Sequence, residues 1–115
     1  MRAVVTSVER YDYARVLCIG MKSGEAELKL ELPLKILEEV GWRPSEGDEV
    51  EVELASERGS LEGWDIVLSG RLLSTEGQAI TYSFGGLLCT IRGARLEAPE
   101  RVYLRLRIPP RASGR

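Results

Sequence analysis

Residues 82–88 read Tyr-Ser-Phe-Gly-Gly-Leu-Leu, with two adjacent glycines between two apolar runs. Glycine reaches positive φ without a steric penalty, so the pair marks a two-residue hairpin turn or a bulge. The flanking residues test the register. A turn at Gly85-Gly86 opposes Phe84 to Leu87, Ser83 to Leu88, Tyr82 to Cys89, Thr81 to Thr90 and Ile80 to Ile91. One face then carries Ile80, Tyr82, Phe84, Leu87, Cys89 and Ile91, while the other carries Thr81, Ser83, Leu88 and Thr90. A half-buried sheet requires that separation of apolar from mostly polar positions. A one-residue bulge restores the same phase, so the pattern demands an odd shift. The hairpin is preferred, because one strand from Gln78 to Arg92 would be long.

The same period of two recurs along the chain. Ala26–Leu32 places Leu28, Leu30 and Leu32 on one face and Glu27, Lys29 and Glu31 on the other. Glu49–Ala55 alternates Val50, Val52 and Leu54 with three glutamates, which suit an exposed surface or a sheet edge. Val102–Ile108 sets Val102, Leu104, Leu106 and Ile108 against Tyr103, Arg105 and Arg107.

Ala3–Arg10 and Ala14–Lys22 are further strands, joined by the polar corner Tyr11-Asp12-Tyr13. Val16, Leu17, Cys18 and Ile19 run in succession, which predicts burial on both faces of the second. Trp64–Leu73 and Gln78–Phe84 form a hairpin across Ser74–Gly77, followed by Leu87–Arg92. One helix is expected, Leu34–Val40, entered through Pro33 and stopped by Gly41, with Trp42 covering one end of the core. About eight short strands separated by turns predict an all-β fold, a small antiparallel barrel with one short helix. Closure removes the unpaired edges of a flat sheet.

A chain of 115 residues is one domain, and its core is large enough to bury roughly two-thirds of the unfolded surface. The barrel is expected to span residues 1–108, with 109–115 a flexible tail after Ile108. No apolar run matches a membrane span and the N-terminus lacks a signal-peptide stretch, so a cytoplasmic location is expected. Charge divides unevenly: residues 1–70 hold 8 Lys and Arg against 15 Asp and Glu, whereas residues 71–115 hold 8 Arg against 3 Glu. That asymmetry describes either a bipolar docking surface or two halves of one barrel whose charges offset each other.

Chemistry is sparse. The chain has no histidine, which removes the commonest general base and metal ligand. Cys18 and Cys89 stand 71 residues apart with no second pair, so no zinc site of CxxC units exists and buried free thiols are expected. Neither a phosphate-binding glycine loop nor a GxSxG elbow occurs. No catalytic, cofactor-binding or metal-binding residue is therefore assigned, and no cofactor is expected. A nucleic-acid-binding module is harder to exclude, since Tyr103, Arg105 and Arg107 share a strand face, with Arg92 and Arg95 candidates to lie near it. Against that stand 7 aromatics in all, most assigned to the core, and a net charge of −2. Those arginines equally suit a solvated face or pairing with the outward glutamates.

These residues carry a resemblance. Asp65–Gly70, the Tyr82–Leu88 motif, Ile91-Arg92-Gly93 and the Tyr103–Arg107 ending resemble the C-terminal half of the eighth-subunit family of DNA-directed RNA polymerases. Arg10-Tyr11, Arg15-Val16, Glu27–Leu32 and the Gly47-Asp48 turn into Glu51–Ser56 are similar but generic. Eukaryotic members carry a long polar insertion where this chain has only Ser56–Gly63, so the resemblance is to the shorter archaeal form. It implies an oligonucleotide-binding-type barrel and a noncatalytic subunit docked on the largest polymerase subunit, supporting assembly or stability for transcription. A free-standing barrel that binds single-stranded nucleic acid is the alternative. The surface expected to meet a partner comprises Ser83, Gly85, Gly86 and Leu88 of the hairpin with Tyr103, Arg105 and Arg107 of the last strand.

Overall fold

The computed structural model describes residues 1–11, 15–93 and 98–108. Eight strands and one helix occur in the order β1 (Arg2–Tyr11), β2 (Val16–Ser23), β3 (Ala26–Pro33), α1 (Leu34–Val40), β4 (Glu49–Ala55), β5 (Ile66–Glu76), β6 (Ala79–Phe84), β7 (Leu87–Arg92) and β8 (Arg101–Arg107). The strands close into an antiparallel barrel with neighbours β1-β2-β3-β7-β6-β5-β8-β4, and β4 returns to β1. Two meanders, β1–β3 and β5–β7, meet where β3 pairs β7. On the far side β4 and β8 bridge them.

Inward residues alternate as the sequence pattern requires. Leu28, Leu30 and Leu32 of β3, Val50 and Val52 of β4, and Leu104 and Leu106 of β8 are almost fully buried. The Gly85-Gly86 turn is a two-residue hairpin with φ of 65° and 101°, and every pair predicted from Ile80–Ile91 to Phe84–Leu87 is formed. Positive φ at both central residues is the requirement of a type I′ turn, whose twist matches that of the strands. Trp42 closes one end of the core at 2 % exposure, and its indole N–H donates to Asp48 Oδ2 at 3.0 Å. The same carboxylate oxygen accepts from the Ser45 N–H, so Asp48 ties the turn between α1 and β4 to the core.

Four expectations change. The hairpin turn before β6 is Gly77-Gln78 rather than Ser74–Gly77, because a register shift between Leu72 and Ser74 lets β5 run on to Glu76. Leu73, at that shift, stands exposed. Of the two settings open to β4, the exposed surface holds and the edge does not: its glutamates are exposed, but the strand pairs with β1 and β8 and those glutamates meet arginines on both neighbours. Strand β2 is buried on both faces only in part, since Leu17 and Cys18 remain half-exposed. Last, β5 begins at Ile66, leaving Trp64 in the preceding turn, where the Arg107 guanidinium stacks 4.4 Å from its ring centre. Asp12, Tyr13 and Ala14 of the first corner and strand, Arg95, and the tail at 109–115 lie outside the described residues. No helix among the described residues is long and apolar enough to cross a membrane.

Candidate docking surface

Of the residues expected to meet a partner, Ser83, Leu88, Tyr103, Arg105 and Arg107 lie on β6, β7 and β8 and Gly85-Gly86 form the hairpin turn, and the register sorts the strand residues into rows. Alternation puts Tyr103, Arg105 and Arg107 of β8 outside, because Val102, Leu104 and Leu106 fill the core. Across the β4–β8 ladder Arg107 faces Glu51, Arg105 faces Glu53 and Tyr103 faces Ala55. Opposite charges directly across a sheet attract, and both arginines use that pairing.

Arg107 Nη1 donates to Glu51 at 2.6 Å, and its Nε donates to the Gly63 carbonyl at 2.9 Å. Arg105 goes further. It is 7 % exposed, donates to Glu53 Oε1 and reaches the carbonyls of Glu57 and Arg58 with Nη2. Its Nε is buried with no partner among the described residues. A guanidinium suits this task because its planar fork addresses several acceptors at once. Arg105 and Arg107 thus hold the 56–63 loop against the barrel wall. The pairing of these arginines with the outward glutamates is what the structure adopts, and Arg105 presents almost nothing to a partner.

The hairpin residues are differently placed. Ser83 and Leu88 oppose each other on the outside, as the register requires. Leu88 is 37 % exposed, one of few large apolar side chains on the surface. It lies just past the end of the β3–β7 ladder, whose last pair is Leu30–Cys89, and its N–H donates instead to Glu31 Oε1 at 2.9 Å. Ser83 Oγ accepts from the Gly86 N–H at 3.2 Å, bracing the turn.

Ser83 leads to residues that sequence reasoning did not single out. It faces Arg71 on β5, and Arg71 faces Arg101 on β8. The outer row therefore runs Leu88, Ser83, Arg71, Arg101 across four strands. One row away Ser69 faces Tyr103, which is half-buried. Ser69, Gly70, Arg71, Ser83, Gly85 and Arg101 line an open recess of about 460 Å³. Among the described residues its lining holds two arginines and no carboxylate. Gly70 turns inward, and a Cβ there would meet the Phe84 ring at 2.6 Å and the Ser83 carbonyl at 2.9 Å. Glycine at this position lets β5 and β6 lie close beneath the recess.

The hairpin and the β8 tyrosine thus share one face with an arginine pair, while Arg105 and Arg107 belong to a separate ladder paired with the β4 glutamates. No local signal points to Arg71 and Arg101, which are 30 positions apart and meet only through the β5–β8 register. Among the described residues no group of three or more Cys, Asp or Glu is arranged to hold a metal ion. Compared with known proteins, the chain matches no protein-family model and no curated protein.

Proposed function

We propose that this chain is a noncatalytic small subunit of an archaeal-type DNA-directed RNA polymerase, docked on the largest subunit and supporting assembly or stability of the enzyme. The observation that supports this reading is the Tyr82–Leu88 segment. It folds as a tight hairpin whose outer face offers Leu88 beside a polar recess, a surface suited to contact with another polypeptide. Polymerisation and its metal ions then belong to other subunits, and the compartment is the cytoplasm. Barrel closure fits the role of a rigid module, because it leaves recognition to the outer faces.

Purified polymerase from the source cell tests the reading. Quantitative mass spectrometry should find this chain in near-equal stoichiometry with the catalytic subunits, and its absence would overturn the assignment. A second measurement separates the alternative barrel function. Titration of the isolated chain with single-stranded oligonucleotides should show no binding; micromolar or tighter binding that weakens steeply with salt would favour nucleic acid as the ligand.

A further inference from the structure

The outer face of β8 carries four side chains in register, and their neighbours on β4 decide their fate. Glu51 neutralises Arg107 and Glu53 neutralises Arg105. Strand β4 then ends at Ala55, opposite Tyr103, so no β4 residue remains to face Arg101. What faces Arg101 on its other side is Arg71. Like charges directly across a sheet repel, with Cβ atoms about 4.5–5.5 Å apart in such pairs. Neither guanidinium has an ion pair or a side-chain hydrogen bond among the described residues. By contrast, Arg2, Arg105 and Arg107 of the same barrel wall each meet a glutamate. Among the described residues nothing compensates this like-charge pair, and broken local rules of this kind are expected at functional or strained sites.

We infer that the Arg71–Arg101 pair is a docking point for a carboxylate on a partner polypeptide, seated in the recess floored by Ser69, Ser83 and Gly85. A carboxylate between two forks would relieve their repulsion and take bidentate hydrogen bonds from either one. Serine hydroxyls and the small glycine leave room for it at the floor. The surroundings identify the partner as protein. Leu88 stands exposed at one end of the same row, and Leu73 stands exposed two residues beyond Arg71 on β5. An acidic segment with apolar neighbours complements that arrangement. A nucleic-acid strand is a poor match: its bases need exposed aromatic platforms. Phe84, beneath Gly70, is buried, Tyr103, one row away, is half-buried, and the carboxylates of β4 occupy the next rows.

This inference supplies the chemistry of the docking surface proposed above, and rests on that reading only for which polypeptide provides the carboxylate. It is tested with the double variant Arg71→Glu, Arg101→Glu, whose positions are exposed and whose thermal unfolding should match the parent. The 15N-labelled chain is titrated with a peptide of alternating Asp and Leu, with its Lys-for-Asp counterpart, and with oligodeoxythymidylate. The acidic peptide alone should shift the amides of Ser69, Arg71, Ser83 and Leu88, and the double variant should bind it at least about tenfold more weakly, roughly 1.4 kcal/mol. Raising the salt should weaken the parent's binding, because the pair is solvent-exposed. Peptide binding that survives charge reversal overturns the inference, as does an equal response to the oligonucleotide, which would assign the pair to phosphate. A second arm compares retention of parent and double variant on polymerase from the source cell. Equal retention sinks the carboxylate contact and leaves the subunit assignment standing. Absence of both from polymerase, with the peptide still bound at the arginines, does the reverse.

Discussion

At the scale of single residues, two buried polar groups carry consequences out of proportion to their number. Arg105 serves one carboxylate and two loop carbonyls from a nearly closed position. A lysine has one compact ammonium and cannot span those acceptors. Arg105→Lys is therefore expected to lower stability by about 1–3 kcal/mol in urea unfolding and to expose the 56–59 loop to limited proteolysis. An unchanged midpoint would mean that the loop holds itself. Asp48→Ala should act through its neighbour, because it strands the Trp42 indole N–H inside the fold. Leaving a buried donor unmet costs about 1–3 kcal/mol, and the unfolding midpoint should fall accordingly.

At the scale of elements, the β6–β7 hairpin separates a folding role from a contact role. Gly86 has φ of 101°, where a β-branched side chain is strained, so Gly86→Val should destabilise by at least about 1–2 kcal/mol. Leu88→Glu has no such strain, since the side chain already points outward. The variant should unfold at the parent's temperature and, if the proposed subunit role holds, lose association with polymerase. A large drop in unfolding temperature would assign Leu88 to the core instead. Registers of this kind are legible in the sequence because period-two alternation and positive-φ turns are local properties. The β5–β6 turn escapes that logic for a local reason as well: the shift at Leu73 breaks the alternation, and polar Ser74–Glu76 read as loop although they pair.

At the scale of the whole molecule, closure buries Cys89 completely, and its thiol is pushed up from 9.0 to about 12 by that burial, with a smaller contribution from Cys18. Burial also raises the Tyr82 phenol, whose hydroxyl donates to the Pro99 carbonyl at 2.9 Å. Both groups stay protonated in the fold at a pH where the unfolded chain has begun to ionise. The folded state then holds more protons, so the contribution of these two groups to stability is fully present below about pH 9 and is lost as pH rises toward about 12. Guanidinium unfolding at stepped alkaline pH should show this loss, and Cys89→Ala should flatten part of the slope. A slope unaltered by the variant would place the alkaline sensitivity elsewhere. The two free thiols should also differ in reactivity: half-buried Cys18 should alkylate in the native protein and Cys89 only after unfolding.

The amino-acid sequence by itself determined which residues face inward and where the chain turns, since alternation, proline stops and glycine pairs act over a few neighbouring residues. It also placed Ser83, Leu88 and Tyr103 outside. It raised pairing of the β8 arginines with outward glutamates as one reading, but not which glutamate meets which arginine. Glu51 and Arg107 are 56 positions apart and Glu53 and Arg105 are 52 apart, so only the packing of β4 beside β8 shows that these charges cancel. The same tertiary register set Arg71 and Arg101 directly opposite each other across β5 and β8. Electrostatic pairing depends on distances of a few ångström, and such distances between remote segments exist only once the barrel has closed.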